Sequence, residues 1–147
     1  MLRRLIFTTD DTAALVLRVM LGAVFFPHGA QKALGWFGGY GFTATVQHFT
    51  DTLGVPYILV LLVIAAEFLG SIGLIVGFLT RLAAFGIFCV MTGAIGMVHW
   101  QNGLFMNWSG NQAGEGFEYH LLAIAITLAL MLKGGGKGSI DKFLSWK

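Results

Sequence analysis

Leu15-Val16-Leu17-Arg18-Val19-Met20-Leu21-Gly22-Ala23-Val24-Phe25-Phe26 runs into Pro27-His28-Gly29-Ala30-Gln31-Lys32, and the reading of this stretch decides the fold. An apolar run of this kind reads as a membrane-spanning helix. Its far end carries a proline, an imidazole, an amide and an amine within about two turns. Polar groups at such depth are costly in lipid, so each must face protein or water, find a partner or reach the interface. At 100° per residue Arg18, Gly22, Phe25, Gly29 and Lys32 fall on one stripe, with His28 about 80° from Arg18. Pro27 removes a hydrogen bond to the carbonyl of Ala23 and predicts a kink just before His28.

The rest of the chain agrees with a membrane setting. Of 147 residues 56% are hydrophobic and 11% charged, and the mean hydropathy is +0.79; these values do not describe a soluble core. The net charge of +2 is small. Its basic residues sit at segment ends, which speaks for topology and against a nucleic-acid partner. The lone cysteine, Cys89, can neither close an internal disulfide nor run dithiol exchange, so it is read as inert. Arg3 and Arg4 before an apolar run raise the question of a signal peptide, but Asp10, Asp11 and Arg18 interrupt the pattern, and we read the segment as mature structure.

Outward from the first span, about 13–34, the glycine- and aromatic-rich stretch Gly35 to Gly41 marks a descent into the interface. Phe42, Val46, Phe49 and Leu53 then predict an interfacial helix. The second span, about 56–78, starts at Pro56 and carries Glu67 about 16 Å deep in a ~30 Å core. Gly70, Ser71 and Gly77 share its face, a small-residue stripe that suits close helix approach. The third span is about 82–99, with Gly86, Cys89, Gly93 and Gly96 near one face, and the fourth is about 117–132. The tail after Lys133 offers Ile140, Phe143, Leu144 and Trp146 to a short surface helix. The expected fold is all-α, one domain over 1–147: an integral membrane four-helix bundle with an interfacial helix after the first span. Arg3, Arg4, Arg81 and the tail lysines 133, 137, 142 and 147 lie on one side, which predicts both termini in the cytoplasm of a bacterial inner-membrane protein. Arg18 is expected to snorkel toward that same surface.

With that topology His28, Lys32, His48, His99, Asn102, Glu118 and His120 gather at the outer end, above Glu67, and suggest a polar cavity open to the periplasm. Structural alternatives stand beside this. His28 and Lys32 also suit a helix C-terminus, Glu67 suits an ion pair with Arg18 or Lys32, and His99 and His120 suit a headgroup boundary.

Several of these residues form a recognisable pattern: His28-Gly29-x-x-Lys32-x-x-Gly35 with Gly38-Gly39, then Glu67 with Gly70, Gly73 and Gly77 before Thr80-Arg81. His99, Asn102-Gly103 and Gly116-x-Glu118-Tyr119-x-Leu121 complete it. Over nearly its whole length the chain resembles the DoxX family of small bacterial membrane proteins. The resemblance implies a four-helix transmembrane bundle linked to redox metabolism, including a quinone-linked thiosulfate oxidoreductase and systems handling quinones or oxidative stress. It nominates His28, Lys32, Glu67, His99 and Glu118 as candidate positions.

Three functions follow as expectations. In a quinone-interacting oxidoreductase, or a subunit of one served by a redox partner protein, Glu67, His28 and Lys32 carry the chemistry: His28 and Lys32 donate to the quinone oxygens and Glu67 relays protons. His28, Lys32, His99, Glu118 and His120 hold the cofactor. A haem or metal site ranks lower, because no His-x-x-x-His spacing occurs. A non-catalytic channel, carrier or assembly subunit is the remaining class, with no internal repeat to support transport. Glycine faces on the second and third spans leave room for a homo-oligomer.

Overall fold

The structure is a computed structural model that describes residues 2–145; Trp146, Lys147 and the side chain of Arg4, counted above, lie outside the described residues. Its elements are helical: α1 (Leu2–Ile6), α2 (Thr12–Leu34), α3 (Gly41–Gln47), α4 (Tyr57–Val76), α5 (Thr80–Ala94), α6 (Glu118–Lys133) and α7 (Ile140–Ser145). A π-helical turn, His48–Thr52, follows α3; a second, Ile95–His99, and a 3₁₀ turn, Trp100–Asn102, prolong α5. Three helices are long and apolar enough to cross a membrane: Thr12–Leu34, Tyr57–Val76 and Thr80–Asn102. α6, at 16 residues, is about 24 Å long.

α2 packs on α4, α4 on α5, α5 on α6, and α6 returns to α2, the last seam being the loosest of the four. Leu21, Phe25, Leu74, Ile87, Met91, Ala123 and Leu130 fill the space between them. α2 runs on through Pro27 to Leu34 and ends at Gly35, whose φ of 74° is the left-handed conformation of a helix cap. The stripe that begins at Arg18 is its buried face: Arg18, Gly22, Phe25 and Gly29 are all buried.

Arg18 departs from expectation. It does not snorkel to a surface but is 2% exposed. Its guanidinium donates to the carbonyls of Leu74 and Ile75 (3.1 and 2.5 Å) in the last turn of α4, and to Gly135, Lys137 and Gly138 (2.8, 3.2 and 3.1 Å) in the tail. The last carbonyls of a helix lack intrahelical partners and attract cations, so a planar five-donor group meets both demands at once. The tail is correspondingly more than a surface appendage: Ser139 and Asp141 are 5% and 1% exposed. One end of the molecule, the terminal end, therefore holds the described N- and C-terminal segments, and the other, the loop end, holds the two longer loops.

Candidate functional site

Glu67 lies ten residues into α4, about 15 Å from its start, and is 4% exposed. Lys32 donates to its Oε2 at 2.5 Å, the lysine and glutamate side chains being 23% and 5% exposed. The pairing follows from how α2 meets α4. A Cβ on Gly29 would stand 2.5 Å from the Glu67 carbonyl carbon and from the Phe68 Cα, so the two backbones touch there. Lys32, three residues later on the same face, is thereby carried over the carboxylate. A charge at this depth needs an opposite charge beside it. Of the two cations open to Glu67, the structure selects Lys32; Arg18 is committed at the terminal end.

His28 stands outside this pair. It is exposed, its ring centroid 6.2 Å from that of Phe25. His48 is also exposed, edge-on to Phe49 in the π-helical turn, and takes no part.

His99 and His120 do come together, with ring centroids 4.1 Å apart. The π-helical turn shifts the register at the end of α5 and aims His99 across to α6. Its Nδ1 bonds the Glu115 carbonyl at 2.8 Å, which also accepts from Asn102 Nδ2 at 3.0 Å. Glu118 Oε1 accepts the Met106 N–H at 2.8 Å, and Glu115 Oε2 the Asn107 N–H at 2.7 Å. Both acids thus organise the loop between α5 and α6.

Tyr119 connects the two groups of residues and was named in the sequence only within a motif. Its ring stacks on Phe25 at 6.3 Å and meets His120 edge-on at 5.6 Å. Glu67 lies within electrostatic range of it. Its hydroxyl and His120 Nδ1 are buried without a hydrogen-bond partner. Helical spacing could have found it: Tyr119, Ala123, Ile126 and Leu130 recur on the face that enters the core. On its other side Tyr119 borders an apolar cleft of about 390 Å³ with Met106, Trp108, Glu118, Leu121 and Leu122. Among the described residues no three His, Cys, Asp or Glu side chains assemble as a metal shell. Cys89 is exposed on α5.

The model of the DoxX family matches residues 13–100. The chain belongs to the DoxX family. It is 30% identical to "Inner membrane protein YqjF" of Escherichia coli (strain K12) over 140 residues, 94% of this chain and 96% of that one. To "Putative oxidoreductase CatD" of Bacillus subtilis (strain 168) it is 32% identical over 120 residues, 82% of this chain and 79% of the other. No solved structure matches it. A DoxX match ending at residue 100 covers the Lys32–Glu67 pair and His99, while Tyr119 and His120 lie beyond it.

Proposed function

We propose that this DoxX protein is a quinone-interacting redox protein of the bacterial inner membrane, with its loop end toward the periplasm, and that it takes a quinone ring from the lipid at the seam between α2 and α6. The observation that carries this reading is the Lys32–Glu67 ion pair, which joins α2 to the middle of α4 in a bundle whose α2–α6 seam is the loosest. The names of the two relatives, "Inner membrane protein YqjF" and "Putative oxidoreductase CatD", point the same way.

The residues present fit such a ligand. Phe25 and Tyr119 stack on each other between α2 and α6, the Tyr119 hydroxyl lacks a partner, and His28 stands exposed beside Phe25. A bound quinone supplies a two-electron, two-proton couple. His28 and Lys32 would hold the two carbonyl oxygens by hydrogen bonds, Lys32 leaving Glu67 to do so. Glu67, freed from its lysine, holds and delivers a proton in a low-dielectric space. The single thiol runs no dithiol exchange, so a redox partner protein supplies the electrons.

The test is binding. Ubiquinone or menaquinone analogues at about 100 times Kd should stabilise the purified chain by about 2.7 kcal/mol, and His28→Ala should weaken that binding. Absence of a thermal shift with either analogue class overturns the proposal.

A further inference from the structure

Two buried atoms on successive residues, the Tyr119 hydroxyl oxygen and His120 Nδ1, are without partners among the described residues. Leaving such a group unpaired costs about 1–3 kcal/mol, and buried water commonly supplies the missing bonds. Two in succession, on rings 5.6 Å apart, mark one internal polar space rather than two separate defects. Its neighbours extend it in both directions. Toward the membrane middle, Tyr119 is within electrostatic range of Glu67. Toward the loop end, the His120 ring lies 4.1 Å from His99, whose Nδ1 meets the Glu115 carbonyl of an exposed loop residue. A carbonyl only accepts, so that Nδ1 carries the hydrogen and the neutral ring keeps a free lone pair on Nε2.

We propose that His99, His120 and Tyr119 form, with internal water, a proton relay from the aqueous loop end to Glu67. The inference rests on reading Glu67 as a proton carrier and adds the route by which it is loaded. His99 takes a proton from water at the loop. His120 accepts on one ring nitrogen and releases from the other. Tyr119 accepts on its oxygen and passes its own hydrogen, through internal water, to the Glu67 carboxylate. Each relay group keeps its number of protons; His120 ends as its other tautomer and returns to the first by exchanging a proton with internal water. One proton has moved from outside water to form a carboxylic acid beside the Lys32 ammonium. The other charged or titratable groups facing this line are His28 and Lys32 on α2, Glu118 at the start of α6 and Glu115 in the loop. Each acid accepts one backbone N–H in the loop, Glu118 from Met106 and Glu115 from Asn107.

The experiment is a rapid drop in pH on the purified full chain, followed by time-resolved infrared absorption of the protonated carboxyl band, with Glu67→Gln identifying the Glu67 contribution. Tyr119→Phe and His120→Gln should each slow the appearance of that band about 100-fold while helix content stays the same. An unchanged rate in either variant overturns the relay; should one variant fail to fold, the other decides. A wild-type chain with no Glu67 band at acidic pH overturns both the relay and Glu67 as proton carrier. No quinone enters the measurement, so failure of the relay alone leaves the quinone-binding test standing.

Discussion

At the scale of single residues, the site depends on a side chain that is missing. Gly29 lets α2 lie against α4 closely enough for Lys32 to cover Glu67, because a Cβ there would meet the Phe68 nitrogen and Cα at 2.5 Å. These are backbone atoms and cannot rotate away. Gly29→Ala therefore forces the helices apart, with an expected loss of about 2 kcal/mol or more. The measurement is denaturation in detergent, paired with quinone-analogue binding, which should weaken in step as Lys32 is lifted from the carboxylate. Unchanged stability would mean that α2 and α4 can part at this contact at little cost. At this scale the sequence was informative about faces and poor about partners. The stripe from Arg18 to Gly29 was legible, and so was the need for a cation at Glu67. Which cation was not, since Lys32 and Glu67 are 35 residues apart and only the helix-to-helix approach decides between them.

Among the elements, the tail behaves as a clasp on the terminal end. Asp141 Oδ1 accepts the Leu79 N–H at 2.7 Å and Oδ2 the Thr80 N–H at 2.8 Å, at the start of α5. Leu79 has a φ of 49°, a left-handed conformation that costs a non-glycine residue roughly 1–2 kcal/mol, and the carboxylate offsets it. Arg18 grips the same tail from inside through three of its carbonyls. Asp141→Ala removes the α5 cap and leaves the guanidinium without the carboxylate within its electrostatic range, so a destabilisation of roughly 2–4 kcal/mol is expected. Asp141→Asn, which keeps an acceptor, should cost about half as much. Thermal denaturation of the two variants beside wild type reads both values. The helices themselves were legible from hydropathy and 3.6-residue spacing, and so was the all-helical class. The clasp was not, because the partners of Arg18 lie 56 to 120 residues away. A rule about a lone cation in an apolar helix sends it to the nearest water; it has no knowledge of a tail that folds back to meet it.

For the molecule as a whole, the two ends divide the work. Polar chemistry collects at the loop end, and the terminal end is sealed by its N- and C-terminal segments lying across one another. Gly136 makes that crossing tight: with a φ of 70°, it has room for no Cβ, which would come within 2.4 Å of the Asp11 carbonyl. Its N–H donates to Thr8 Oγ1 at 2.7 Å, and two ion pairs reinforce the crossing, Lys142 with Asp10 and Lys133 with Asp11. Hydrogen bonds from these ammonium groups, Lys142 for Asp10 and Lys133 and then the Ala14 N–H for Asp11, hold both carboxyls below the ordinary value of 3.8. A carboxyl lowered in the folded state adds stability above its unfolded pKa and loses it as pH falls through the lower folded value. Asp10→Asn/Asp11→Asn keeps the helix cap on α2 and removes only the charges. The melting temperature of this variant should lie below that of wild type by a constant margin above about pH 5, and the margin should close as the solution passes below 3.8. High salt at neutral pH should shrink the same margin, because exposed pairs are screened. No margin at neutral pH and low salt would show that Thr8, Gly136 and the Arg18 carbonyl cage close this end without help from the charges. A margin that survives both acid and salt would show that the two aspartates act by something other than charge.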